Sequence, residues 1–346
     1  MAPRRAELGD LSQIASARLI RLVDGSEDAV RAVDVRVAGG IHALVLLDRG
    51  LDIGPAWYGG YPLSWQSPTG IVHPSYYRDD VWLRSFHGGL MFTAGLQNVG
   101  SSVQDGSESH GLHGRLSNLP AGNVSTAVIE DRKGIAVVVA GAVRETTVYG
   151  VDIVLHRRIT FRVDDPVIEV EDEIENRGYS AAPIYILYHV NLGHPVVAPT
   201  SQLISPAIRV EGWDASSRGG EAKHATFHAP AADAGVEVFE HHLDPHSGDE
   251  VTVAVINPEH ALTGGLGVAV TYDRRRLPRL WHWRMLGEGL YVTGIEPANC
   301  GLLGRVSEAE SGEGRLLQPG EVRPFGIRLR ALAGKQAVAM AQRARR

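Results

Sequence analysis

The chain is poor in three things, and each shortage removes a class of protein. Only one of its 346 residues is cysteine, Cys300, so no internal disulfide framework of the kind that staples small secreted domains can form. Positive charge is in deficit, with 34 Lys and Arg against 40 Asp and Glu and a formal net charge of −6. That balance offers no broad positive field for a nucleic acid partner. Long apolar runs are missing as well: no stretch reaches the roughly 18 residues that a membrane span needs. The opening Met-Ala-Pro-Arg-Arg-Ala-Glu is not followed by the apolar core of a signal peptide. These absences lead us to expect a soluble, cytoplasmic protein with no nucleic acid or membrane partner.

What the chain has in quantity is turn formers and β patterning. Forty Gly and 18 Pro accompany 44% hydrophobic residues, a balance that favours many short strands over long helices. Residues 9–22 read as a helix or an edge structure, and residues 29–37 alternate with period two. Residues 43–47 form a short apolar run, and the Gly-, Pro- and Trp-rich stretch from there to Pro74 reads as a long ordered loop. A meander follows through 125–130, 135–139, 146–149, 151–155 and 167–175, the last with strict alternation that marks one buried and one wet face. Strands are also expected over 251–256, 266–270 and 325–331, and a short basic helix over 334–346. Residues 215–249, rich in Ser, Gly, Ala and His, read as an excursion. No internal repeat and no linker divides the chain. The expected fold is therefore all-β, a large antiparallel β-sandwich with few short helices, formed as one domain over residues 1–346.

Chemistry concentrates in three segments beside strand-like runs. In Tyr185-Ile-Leu-Tyr-His-Val-Asn-Leu-Gly-His194, residues two apart share a strand face, so His189 and Asn191 lie on one side and Tyr188 and Val190 on the other. Ser109-His-Gly-Leu-His-Gly-Arg-Leu-Ser-Asn118 contributes His110, His113 and Arg115. Tyr291-Val-Thr-Gly-Ile-Glu-Pro-Ala-Asn-Cys300 contributes Glu296. A facing His and Glu form an acid/base pair, because imidazole titrates near neutrality and burial moves a carboxyl towards it. Each residue also has a structural reading: His189 as a hydrogen-bonded core histidine, Glu296 as the end of a strand before Pro297, and His113 and Arg115 as a solvated turn.

The order of these segments resembles that of the aldose 1-epimerase (galactose mutarotase-like) superfamily. Asp48-Arg-Gly-Leu-Asp-Ile53, the glycine-rich stretch Gly88 to Gly100, His113-Gly-Arg-Leu-Ser-Asn-Leu-Pro-Ala121 and Ile295-Glu-Pro-Ala-Asn299 resemble its DUF4432 branch. The resemblance implies a galactose mutarotase-like supersandwich with a sugar cleft on one sheet. It implies His189 as general acid on the ring oxygen and Glu296 as general base on the anomeric hydroxyl. His113 with Arg115 would bind substrate, with His110 competing for that place. For the sugar-binding Asp of the superfamily, Asp214 and Asp273 are both open. The implied activity is a cofactor-independent interconversion of α and β anomers, needing neither metal nor organic cofactor, on a small sugar whose anionic substituents are undefined. A homodimer is left open.

Other residues carry weaker signals. Arg49 offers a planar fork for hydroxyls or an anionic group, or else pairs with Asp48 or Asp52. Trp283 or Trp65 could stack on a sugar face. His224, His228, His241, His242 and His246 include a pair four apart, but no helix pattern aligns them and no carboxylate falls at zinc-motif spacing, so the sequence assigns no metal. Cys300 has no adjacent base and reads as a buried spectator. Two other functions share these residues: an epimerase, isomerase or lyase acting beside the carbonyl of a keto-sugar, and a non-catalytic carbohydrate-binding sandwich.

Overall fold

The β patterning becomes three large antiparallel sheets and two two-stranded ones. The computed structural model describes residues 6–246, 248–310 and 315–344. Strands Gly122–Asp131, Gly134–Thr146, Asp152–Arg162 and Asp165–Asn176 form the expected meander at one side of an eight-stranded sheet. That sheet continues through Val322–Ala333, Leu266–Asp273, Glu250–Asn257 and Gln202–Ile204. Residues 146–149 do not make a strand of their own. Thr147 N–H reaches Val151 O across a hairpin, and Val148 and Tyr149 stand exposed at its tip.

A six-stranded sheet has the order Ala207–Gly212, Val236–Leu243, Arg279–Gly287, Leu290–Ala298, Tyr185–Gly193, Phe92–Leu96. The excursion expected over 215–249 thus contains an inner strand, Val236–Leu243. Its apolar positions are separated by Glu237 and Glu240, and Arg284 and Arg279 on the neighbouring strand neutralise both. A five-stranded sheet holds Ala15–Arg21, Arg31–Val37, His42–Leu46, Asp52–Tyr58 and Tyr61–Pro62. Here the loop expected up to Pro74 gives way to two strands. Proline is tolerated at both because Pro62 lies in the edge strand and Pro55 at a bulge, where the register with His42–Leu46 shifts between Ala43 and Val45.

One buried cluster joins all three sheets, drawing Val33 and Val45 from the five-stranded, Val137 and Ile159 from the eight-stranded and Ile186, Tyr188 and Val190 from the six-stranded sheet. Along Tyr185–Gly193 the even residues enter this core, while Tyr185 and Leu187 belong to a second, aromatic cluster on the opposite face. Beneath that strand Arg157, wholly buried, bridges Asp52 at 3.0 Å and Asp172 at 2.7 Å, and Tyr188 donates to Asp172 at 2.6 Å. One guanidinium serves two carboxylates here, and further hydrogen bonds make the buried group tolerable: Asp52 accepts from Thr93 and Ser117, and Asp172 from Tyr188. The C-terminal helix runs Lys335–Ala344, with Ala337 and Ala341, four apart, packed on Ala254, Ile256 and Leu332. A short helix, Arg305–Glu310, arises where none was expected. The first five residues and the final Arg345 and Arg346 lie outside the described residues.

Candidate active site

The outer face of the six-stranded sheet floors a cleft of about 510 Å³. Strands Tyr185–Gly193 and Leu290–Ala298 pair antiparallel with Val190 opposite Ile295 and Leu187 opposite Ala298. That register sets His189 opposite Glu296, and both side chains rise on the face away from the main core. Glu296 Oε1 lies 3.2 Å from His189 Nε2 and has no hydrogen-bond partner among the described residues. The two are 5% and 2% exposed, so water does little for either charge. Burial pushes the Glu296 carboxyl up to about 8. It pushes His189 down to about 3, helped by neighbouring His113 and opposed by Asn191.

Gly294 stands between these strands' functional positions for a reason of space. A Cβ there would fall 2.6 Å from Glu296 Oε1 and 2.9 Å from His189 Cε1. Only a residue without one leaves the carboxyl and the imidazole in contact.

His113 comes from the far side of the cleft in a left-handed turn, φ 58°, with its ring centroid 6.1 Å from that of His189. Its Nδ1 accepts from Gly100 N–H at 3.4 Å, and burial lowers it to about 4. A neutral ring accepting at Nδ1 carries its proton on Nε2 and is therefore a donor there. Trp65 and Trp283 line the cleft, their centroids 6.1 Å apart. Both wall aromatics that the sequence suggested are thus present, together with two that it did not, Trp82 and Phe86, stacked at 4.5 Å.

The other expected contacts lie elsewhere. Arg49 is wholly buried, and its guanidinium donates to Ser117 O, Val72 O and Ser85 O, each at 2.7 Å. Positive φ at Gly50 and Leu51 turns the chain just after it, and burial keeps the guanidinium away from any sugar. Asp48 pairs instead with Arg31. Arg115 pairs with Asp79 at 3.2 Å and, with His110, lines a separate depression. Residues 113 and 115 part company because His113 and Gly114 both have positive φ, and alternation of faces holds only in extended chain. Asn191 lies under the pair rather than in the cleft: its amide donates to Gly89 O and His189 O, and its backbone carbonyl accepts from Trp65 N–H. Asp214 caps a turn through Ser216 and Ser217, and Asp273 pairs with Arg275 at the surface. Neither lines the cleft.

Of the histidine-rich segment, His224 and His241 do meet, and His282 joins them with centroids 5.1 to 6.4 Å apart. Among the described residues no group of three or more His, Cys, Asp or Glu is arranged to hold a metal ion. His228 and His242 bind Ala229 O and the Glu211 carboxylate instead. Cys300 is buried in the aromatic cluster, which pushes its thiol up.

Residues 27–331 match the family model described as a domain of unknown function, DUF4432. The chain belongs to the DUF4432 family. A candidate aldose 1-epimerase from Klebsiella pneumoniae superposes with a TM-score of 0.87 at 21% identity, over 99% of this chain and 89% of that one. Galactose 1-epimerase from Lactobacillus acidophilus gives 0.58 at 13% identity, over 92% and 99%. A galactose mutarotase-like protein from Clostridium acetobutylicum gives 0.60 at 11%, over 93% and 99%. None of the curated proteins matches the sequence. This DUF4432 chain therefore has the galactose mutarotase-like fold, an all-β antiparallel architecture. No helix among its described residues is long and apolar enough to cross a membrane.

Proposed function

We propose that the chain is a cofactor-independent mutarotase that interconverts the α and β anomers of a sugar at His189 and Glu296. The observation that carries this reading is the direct contact of a neutral-leaning imidazole with a proton-retaining carboxyl, shielded from water at the floor of a cleft. Anomer exchange requires one proton delivered to the ring oxygen and one removed from the anomeric hydroxyl. Both oxygens are bonded to the same carbon. An acid and a base need not face each other across the sugar ring: neighbours on one floor can serve both atoms.

At neutral pH the pair holds one proton between its two sites. Burial favours the uncharged arrangement, a carboxylic acid beside a neutral imidazole. Glu296 gives its proton to the ring oxygen while His189 takes that of the anomeric hydroxyl, the bond between the anomeric carbon and the ring oxygen breaks, and an open-chain aldehyde results. Rotation about the C1–C2 bond presents the other carbonyl face. Closure then runs the transfers backwards: the ring hydroxyl returns a proton to Glu296, and the imidazolium returns one to the new anomeric oxygen. The assignment implied by resemblance exchanges the two roles: starting from carboxylate and imidazolium, His189 would protonate the ring oxygen while Glu296 takes the anomeric proton. In this reading His113 Nε2–H holds a substrate oxygen, and Trp65 and Trp283 pack on the ring.

The test is exchange NMR on a panel of reducing sugars in deuterated water. The parent should speed α/β exchange with every C–H signal retained, and Glu296→Gln and His189→Asn should each lose about 10²- to 10⁴-fold while keeping the parental circular dichroism. Variants as fast as the parent would sink the proposal. Deuterium entering at carbon would replace it with an enolising epimerase or lyase.

A further inference from the structure

The cleft is chemically lopsided. Its walls are apolar, with Trp65, Trp82, Phe86, Trp283, Met285 and Leu290 among them. Its titratable side chains, His113, His189 and Glu296, are one tight group. Ser67 and Thr69 also border it, but their hydroxyls are engaged: they lie 3.2 Å apart, and Thr69 donates to Phe86 O at 3.0 Å. Among the described residues no Lys or Arg lines it. The two guanidiniums that could have met an anion are spent elsewhere, Arg49 on three backbone carbonyls and Arg115 on Asp79. The one-proton pair is itself uncharged.

A hydroxyl taken from water to an apolar wall without a partner pays its full desolvation, and a phosphate or carboxylate without a counter-charge pays more. The polar contacts on offer suffice for one oxygen-bearing centre and little beyond it. Trp82 Nε1, buried without a hydrogen-bond partner among the described residues, adds a donor but no acceptor. The volume of about 510 Å³ falls in the ordinary range for small-molecule sites, so shortage of room does not set the limit. Wall chemistry does.

We propose that the substrate of this site is an uncharged, hydroxyl-poor hemiacetal: a deoxygenated or O-alkylated sugar whose anomeric centre sits on His113, His189 and Glu296 and whose remaining carbons lie against the aromatic walls. This rests on the mutarotase reading for the reaction, but not for the ligand class.

Quenching of tryptophan fluorescence, with three indoles in the cleft, reads binding independently of turnover. The probes are a hexose, its 6-deoxy analogue, its 2,6-dideoxy analogue and its 6-phosphate, each followed in parallel by NMR anomer exchange. Affinity should rise about tenfold for each hydroxyl removed, with the phosphate weakest. Met285→Gln, which puts an amide into the wall at nearly constant volume, should narrow the gap between the dideoxy sugar and the hexose. Tighter binding of the hexose or its phosphate, an unchanged gap in Met285→Gln, or no binding of any probe would overturn the proposal. Graded binding without faster exchange would keep the ligand class and sink mutarotation. Faster exchange greatest for the phosphate or the full hexose would do the reverse.

Discussion

At His189 and Glu296 a single environment moves two ionisations in opposite directions, and the result is a pH window. The pair carries one proton between the lowered His189 value, about 3, and the raised Glu296 value, about 8. Turnover that needs that one proton should be level through neutral pH and fall about tenfold per unit above about 8, where the pair loses it. The kcat/KM profile checks this, and a profile still rising past that point would refute the assignment of the proton. Gly294 gives a second residue-scale prediction. Gly294→Ala should part the pair and cost activity on the order of the loss in Glu296→Gln, while thermal stability changes little, because the atoms in the way are the ends of movable side chains. The face shared by His189 and Asn191 was legible from alternation alone. Glu296 was named from its segment and by resemblance, but its place opposite His189 was not legible, since the register that joins strands more than a hundred residues apart leaves no local mark in either.

Among the elements, the segment between Tyr61–Pro62 and Phe92–Leu96 decides whether the floor becomes a cleft. It supplies Trp65, Trp82 and Phe86 with almost no regular structure of its own. Arg49 holds it by Val72 O and Ser85 O, the latter one residue before Phe86, and ties it to Ser117 O. Arg49→Met should leave three buried carbonyls unpaired and cost roughly 2–4 kcal/mol. Hydrogen exchange should then rise over residues 63–90 while the eight-stranded sheet stays protected, and substrate affinity should suffer more than kcat. Uniform loss of protection would assign Arg49 to global stability alone. A charged residue in a Gly-containing turn looks solvent-facing or ligand-facing in sequence; what reverses it here is burial against three backbone carbonyls, which no pattern of side chains announces. The same blindness hid Trp82 and Phe86, whose loop has no period to read, whereas the long alternating strands such as Asp165–Asn176 were plain.

Over the whole molecule, the buried ionisable groups set where folding is strongest. His87, His113, His189, His241 and His282 are all held below their usual value by burial. As pH falls below 6.5 the unfolded chain takes up protons that the folded chain refuses, so each of these groups withdraws about 1.4 kcal/mol of stability per pH unit. Glu145 and Glu296 act with the opposite sign. Burial raises them to about 7 and about 8, so the folded chain keeps protons that the unfolded chain has lost above about 4.5. Their contribution is greatest at low pH and drains away as pH climbs through 7 and 8. The lowered imidazoles outnumber the raised carboxyls on the acid side, and on the alkaline side the carboxyls act alone. Stability should therefore peak near pH 6.5, fall on both flanks and flatten above about 8. Urea midpoints at constant ionic strength across roughly pH 5 to 9 measure this directly, and a midpoint that climbs as the pH drops below 6 would mean that these imidazoles are charged in the folded core.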